Sequence, residues 1–297
     1  GQLLRELYES AAEVLVAGHA ATGRPERVRA AKRQLRARLP EWSDRSFARY
    51  AKRLRDAYWI AEPLDIAEAN ARLVAGTRKS KDLLAVASHV DAYQAITTIS
   101  IYTPDHPGLF YRIAGAIALA GASIVDAKIH TTTDGMALDN ITVQDEDGQA
   151  FDDPPRLERL KARVEDVLKG RVKLREALDK KPPPAPRQDV FHVEPAVFID
   201  NSASNRFTVI EVNGADRPAL LYYLTRTLFD SKVTISSAHV ATYGERAVDV
   251  FYVTDLLGHK ITNANRLKAL ERRLLEALGA APAPKPVLAA PVGAAAE

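Results

Sequence analysis

Apolar residues in the first quarter of the chain recur at helical spacing. Gly23 and Pro25 separate two such runs, because both residues interrupt helices. The first run contains Leu3, Leu4, Leu7, Leu15 and Val16, and the second contains Leu35, Leu39, Trp42, Phe47 and Leu54. The spacing predicts an all-helical segment over residues 1–76. The neighbouring Tyr58 and Trp59 are interpreted as core residues of this segment, with a stacking platform for bases or sugars as the alternative.

From residue 77 onward the pattern changes to short alternating runs separated by turns. Residues 77–94 predict a polar connector that contains an edge strand. A strand, a helix and two strands follow, and the Asp134–Gly135 pair forms the turn between those two strands. A second helix is expected to be capped by Asp152 and Asp153. The predicted ranges are 97–103, 106–120, 122–131, 136–144 and about 154–169.

A diverged copy of this stretch returns 111 positions later. The offset relates Asp105 to Asp216 and Leu109 to Leu220, and it falls to 110 after a shorter second hairpin turn. Such internal repeats indicate repeated structural units. The copy begins near Phe207, and its predicted elements are a helix over 217–231, strands over 232–242 and 246–254, and a helix over 263–278.

The repeated β-α-β-β-α order predicts an α+β protein with two ferredoxin-like βαββαβ domains behind the helical segment. We expect residues 95–200 to form the first domain. A strand around Val197 and Ile199 would close it, after a proline-rich insertion at residues 181–190. The second domain would span residues 205–280. The Ala- and Pro-rich tail at residues 281–297 is expected to be disordered, which leaves residues 287–288 as the candidate for a last strand.

Composition narrows the cellular setting. The chain has no Cys, which excludes disulfides and cysteine nucleophiles and fits a reducing compartment. No apolar run is long enough to span a membrane, and the first residues do not form a signal peptide. We therefore expect a cytoplasmic protein without a membrane partner. The start on Gly1 in place of Met suggests a fragment.

Basic side chains crowd residues 24–38. Val28, Ala31 and Leu35 recur among them at helical spacing, so the run is interpreted as the solvated face of an amphipathic helix. A phosphate-binding surface is the alternative. The whole chain has 41 basic and 38 acidic residues, and this near balance does not predict a nucleic-acid partner.

The same turn stands at the start of the first helix in each repeat. Asp105 and Asp216 are predicted to cap the two helices, with Pro107 and Pro218 in their first turns. A capped helix directly after a strand presents free N–H groups that suit the carboxylate of an amino acid. Gly108 would let such a ligand approach the backbone closely. A purely structural turn is the alternative.

Residues 103–110 and 213–221 resemble the ligand loops of ACT domains, which are βαββαβ modules that bind amino acids and regulate enzymes. Residues 113–127, 134–139 and 248–255 closely resemble the C-terminal half of bacterial PII uridylyltransferase/uridylyl-removing enzymes. Residues 1–8 resemble the helical end of the HD hydrolase domain in that family. The likeness covers nearly the whole chain up to the tail.

The resemblance implies a regulatory region that senses glutamine, with the PII signalling protein and upstream catalytic domains as partners. The α-carboxylate would meet the loop amides, and the α-amino group would meet Asp105, Asp216 or nearby carbonyls. The implied binding residues are Asp105, His106, Pro107, Gly108, Leu109, Phe110, Asn213, Asp216, Arg217, Pro218, Ala219 and Leu220.

The motifs that carry the chemistry of this family are missing from the chain. No histidine is followed directly by Asp, so the metal-binding dipeptide of the hydrolase is missing, and no Gly-Ser element precedes a carboxylate pair. We therefore expect neither a catalytic residue nor a cofactor in this chain, although the parent family uses Mg²⁺. Three rival hypotheses remain: a protein-docking module without a small ligand, a nucleic-acid binder, and an enzyme in its own right.

Several residues near the loops leave their roles open. Ala219 stands where the first repeat has Gly108, and its methyl group is expected to weaken binding at the second loop. His106 is expected to face water. Asp139 and Asp249 occupy equivalent strand positions, where either a sheet hydrogen bond or a ligand contact would fit. The pair formed by residues 145 and 147 is interpreted as turn chemistry, with Mg²⁺ binding as the alternative.

Overall fold

The computed structural model describes residues 23–180, 193–243 and 246–279. The predicted first helix, the proline-rich insertion and the tail lie outside these residues. The segment before the first sheet is helical as predicted, and we call it the helical segment. Its helices are α1 Arg24–Arg38, α2 Asp44–Arg53, α3 Asp56–Ala61 and α4 Leu64–Ser80.

The helical segment has its own apolar core. Leu35 and Leu39 are fully buried, and Tyr58 and Trp59 are almost completely buried. The interpretation of the aromatic pair as core residues is therefore confirmed. Helix α1 turns Val28 inward and leaves most of its basic side chains exposed, as expected for a solvated face.

The first sheet and its helices, here module 1, follow the helical segment. All neighbouring strands are antiparallel, and the spatial order is β1-β2-β4-β3. The side chain of Asp153 caps α6 by accepting a hydrogen bond from the N–H of Arg156, as the sequence predicts. The elements are β1 Ala85–Asp91, β2 Ile96–Pro104, α5 Leu109–Ala120, β3 Ser123–Lys128, β4 Met136–Gln144, α6 Pro154–Leu168 and α7 Leu174–Asp179.

The second sheet and its helices form module 2. Its strand order, β5-β6-β8-β7, repeats the order of module 1. The predicted α+β fold with two four-stranded antiparallel sheets is therefore confirmed. The elements are β5 Ala196–Asp200, β6 Thr208–Ala215, α8 Leu220–Asp230, β7 Val233–Tyr243, β8 Arg246–Asp255 and α9 Ala264–Leu278.

The predicted closing strand of the first repeat belongs to the other sheet. Val197 and Ile199 pair with Val212 and Ile210 of β6, so the assignment of this strand to module 1 is wrong. In module 1 the place beside β2 is filled by β1, which reaches it through a short hairpin turn. Each module therefore runs ββαββα, and its edge strand comes first. Module 2 needs no strand from residues 281–297.

The two modules pack side by side. Strand β3 runs beside β7, and helix α5 packs on α8, so one apolar core extends through both modules. The opposite face of the first sheet presents Tyr102 and Leu138 to the core of the helical segment. Module 1 is thus enclosed between the helical segment and module 2.

Candidate functional site

The loop that precedes α5 is not capped as predicted. We call residues 105–110 loop 1 and residues 216–221 loop 2. The carboxylate of Asp105 accepts a hydrogen bond from Thr131 Oγ1 at 2.6 Å, and no side chain caps α5, which begins at Leu109. The N-cap position of α8 is held by Ala219, whose side chain cannot cap the helix. Neither Asp105 nor Asp216 occupies an N-cap position, so the predicted cap positions are wrong, and Pro107 and Pro218 precede the helices.

Gly108 has a structural reason for lacking a side chain. Its φ is 84°, in the left-handed region, and an added Cβ would lie 2.5 Å from Tyr111 and 3.0 Å from Phe229 of α8. Ala219 adopts the same conformation with a φ of 62° in loop 2. Its effect on ligand access stays a prediction.

Loop 1 forms one side of a pocket of about 440 Å³ that we call the loop-1 pocket. All six predicted residues of this loop line it, including the exposed His106. The pocket also takes in residues that sequence patterns did not indicate. They are residues 129–132 of module 1, Arg206, Phe207, Thr225, Phe229 and residues 233–236 of module 2, and Leu54, Arg55, Ala57 and Tyr58 of the helical segment.

A buried carboxyl group lies in the wall of the loop-1 pocket. Asp139 of β4 lies two residues from both Ala137 and Ile141, so its side chain points to the same face of the sheet as these two core residues, and it is 1% exposed. Burial raises the pKa of Asp139 well above its usual range, and the negative charge of Asp105 raises it further. The N–H of His130 donates to Asp139 Oδ1 at 3.3 Å and offsets this only in part. A ligand cation would stabilise the ionised form.

Module 2 repeats the buried carboxyl group at Asp249. Burial raises its pKa to about 7, with a further contribution from the negative charge of Asp216. Asp249 Oδ1 is buried without a hydrogen-bond partner among the described residues. The equivalent positions 139 and 249 thus both carry a buried carboxyl group whose pKa is raised by burial, and the sequence left the roles of these two residues open.

Other predicted residues of module 2 are bound within the module itself. Asn213 is buried, and its Oδ1 accepts a hydrogen bond from Arg246 Nη2 at 2.9 Å. Arg217 Nη2 donates to the carbonyl of Ala277 at 2.6 Å, which ties loop 2 to the end of α9. Among the predicted positions of loop 2, Pro218 is exposed and Leu220 is buried in the core.

The acidic pair after β4 is a turn. Asp145 Oδ1 accepts hydrogen bonds from the N–H groups of Asp147 at 3.0 Å and Gln149 at 2.8 Å. Asp255 does the same for Leu257 and His259 after β8. The interpretation as turn chemistry is confirmed.

Two families of known domains match the parts of the chain that form the two sheets. Residues 97–165 match the ACT domain model, and residues 196–282 match the model of the ACR9-like, ACT-like domain. The second match begins at β5, in agreement with the strand pairing. No helix in the described part of the chain is both long and apolar enough to cross a membrane.

Three curated relatives bear the name bifunctional uridylyltransferase/uridylyl-removing enzyme. The chain is 50% identical to that of Novosphingobium aromaticivorans over 276 residues, 49% to that of Zymomonas mobilis over 285, and 48% to that of Azospirillum brasilense over 278. The chain corresponds to the C-terminal ACT region of this enzyme family. The matches cover 93–94% of this chain but 30% of each relative's length.

A solved structure of a candidate glycine cleavage system transcriptional repressor is similar to this chain only loosely. The alignment covers 62% of this chain and 92% of that one, with 15% identity and a TM-score of 0.22.

Proposed function

We propose that this ACT region senses glutamine and regulates a PII uridylyltransferase/uridylyl-removing enzyme whose catalytic domains lie outside the chain. The observation that carries the proposal is the loop-1 pocket, in which Asp139 is buried next to the first turn of a helix. Its volume lies within the range of about 300–1,000 Å³ that is usual for small-molecule sites. The PII protein as substrate and a cytoplasmic setting belong to the same proposal.

The charges of the pocket suit a zwitterion. The α-ammonium group would lie between Asp105 and Asp139. Its positive charge would stabilise the ionised form of the buried Asp139 carboxyl group. The α-carboxylate would accept hydrogen bonds from the N–H groups of Phe110 and Tyr111, which have no carbonyl partner within the helix because they belong to its first turn. The amide of glutamine would then extend toward the wall formed by module 2.

Titration calorimetry of the chain with glutamine tests this proposal, with glutamate and asparagine as competitors for selectivity. We expect heat with glutamine, and we expect Asp139→Asn to weaken binding by about tenfold or more, because a charge-assisted hydrogen bond contributes about 1.5–3 kcal/mol. Asp255→Asn, at the exposed turn of module 2, is the matched control and should bind as the wild type does.

Two results would count against the proposal. The absence of heat at millimolar glutamine would contradict sensing by this chain. Undiminished binding by Asp139→Asn would move the ammonium group away from the proposed pocket.

A further inference from the structure

The loop-1 pocket is not confined to the ACT modules. Leu54, Arg55, Ala57 and Tyr58, at the end of α2 and in α3, form one of its walls. Module 2 contributes a second wall through residues 233–236, and loop 1 with residues 129–132 completes the enclosure. A ligand in this pocket would therefore touch three separate parts of the molecule.

A buried pair joins the helical wall to module 1. Nε2 of His130 lies 2.6 Å from Oε1 of Glu62, and the two side chains are 12% and 1% exposed. The other carboxylate oxygen of Glu62 is buried and has no hydrogen-bond partner among the described residues. The rings of His130 and Tyr58 meet edge to face with centroids 5.1 Å apart. The ring of Tyr58 is thus in contact with this pair, while its hydroxyl is held from within the helical segment by Tyr50 and Asn70.

The hairpin that carries His130 is also held by hydrogen bonds to its backbone from the helical segment and to the backbone of that segment. Arg55 Nε donates to the carbonyl of Thr131 at 3.3 Å, and the N–H of Thr133 donates to the carbonyl of Arg53 at 2.8 Å. Thr131 in turn donates its hydroxyl to Asp105 of loop 1. One short segment therefore contacts both the ligand loop and the helical wall.

The second repeat lacks the residue that makes this connection. The offset of 111 places Ala241 where module 1 has His130. The backbone N–H at both positions donates toward the buried aspartate, so the local fold is kept while the side-chain link is lost. Both repeats thus keep the buried carboxyl group, and they differ in whether a side chain links that region to the helical segment.

We propose that the helical segment is part of the ligand site of module 1, with Tyr58 and Arg55 as wall residues and Glu62–His130 as the positioning pair. The inference rests on the proposed function and deepens it. Occupancy of loop 1 tightens the packing of α3 on module 1, whereas occupancy of loop 2 leaves α3 unchanged. An amino acid bound at module 1 therefore changes the packing of the helical segment as well as that of the ACT modules.

Hydrogen exchange of the 297-residue chain, with and without saturating glutamine, tests the inference. We expect slower exchange at residues 54–61 as well as in loop 1 and residues 233–236. Glu62→Gln keeps the shape of the side chain and removes its charge. Because coupling between sites is reciprocal, loosening this wall should also weaken glutamine binding, by about fivefold or more. It should abolish the protection at 54–61 while loop 1 stays protected.

The chain offers a matched control in a second carboxylate–histidine contact. Asp65 of α4 lies 3.4 Å from His89 of β1, both side chains are about half exposed, and neither residue lines the loop-1 pocket. Asp65→Asn should leave the affinity and the exchange pattern unchanged. Arg55→Ala is a second test variant, because Arg55 is exposed and its loss does not threaten folding. It should reduce the protection of residues 56–61.

The outcomes separate the two proposals. Absence of glutamine binding by the wild type would refute the proposed function. Binding with protection of loop 1 and residues 233–236, but none at 54–61, would overturn the helical wall and leave glutamine sensing intact. Equal affinities for the wild type, Glu62→Gln and Arg55→Ala would also overturn it.

Discussion

Asp249→Asn is expected to stabilise module 2 at neutral and alkaline pH. Burial, and then the charge of Asp216, raise the pKa of Asp249 from 3.8 to about 7, while the N–H of Ala241 lowers it only in part. Between these two pH values the folded protein holds a proton that the unfolded chain has released. The free energy of unfolding therefore falls as pH rises from about 4 to about 7.

The magnitude follows from the pKa shift of about three units. Each unit corresponds to about 1.4 kcal/mol, so the wild type loses up to about 4 kcal/mol of stability by pH 7 through this group. Asn has a similar shape and does not titrate. Its advantage over Asp should be smallest near pH 4, grow by about 1.4 kcal/mol per pH unit, and become constant above pH 7.

Urea unfolding from pH 4.5 to 8.5, followed by far-UV circular dichroism at constant ionic strength, measures this difference. Asp255→Asn is a control with the opposite sign. Hydrogen bonds from the N–H groups of His259 and Leu257 lower the pKa of Asp255, so its contribution to stability is lost only at acid pH. If the free energies of unfolding of the wild type and Asp249→Asn change in parallel across this pH range, burial does not raise the pKa of Asp249.

Two further substitutions test the packing around the site by thermal and urea unfolding. Gly108→Ala should destabilise the chain by about 1–3 kcal/mol, because it adds a methyl group at a positive φ against Tyr111 and Phe229. Ala219→Gly should be neutral or slightly stabilising, and the opposite order would refute the conformational argument. Leu138→Ala should cost about 2–5 kcal/mol and loosen the helical segment first. Both tryptophans lie in that segment, so their fluorescence should change at lower urea than the circular dichroism does.

The repeat in the sequence predicts most of the fold. Alternation and helical spacing mark each strand and helix, because each element turns one apolar face to the core. They do not say which strand pairs with which. A connection of a few residues joins β5 to β6, and neighbouring strands joined by a short connection usually pair with each other. Strand β5 therefore pairs with β6 and not with a strand of module 1. The strand itself was predicted correctly, and only its pairing partner was wrong.

The loops show a second limit of sequence patterns. Asp105 is a residue type that often caps helices, and it lies just before α5. Its carboxylate instead accepts a hydrogen bond from the hydroxyl of Thr131, which lies in another turn. The pocket walls formed by Tyr58 and by residues 233–236 are far from loop 1 in the sequence. No repeated sequence pattern indicates that these residues lie next to the loop. Such contacts arise only when three packed units meet, so the motif could predict the loop but not the pocket.

This geometry changes the meaning of the tandem repeat. A single ACT module could not form the loop-1 pocket, because residues 233–236 of module 2 supply one wall and the helical segment supplies another. The aromatic ring of Phe229 also packs where Gly108 leaves room, so α8 fixes the shape of loop 1. Module 2 is therefore needed even if loop 2 binds nothing. Under the proposed function, the repeats differ at two places that affect the pocket, with His130 against Ala241 and Gly108 against Ala219.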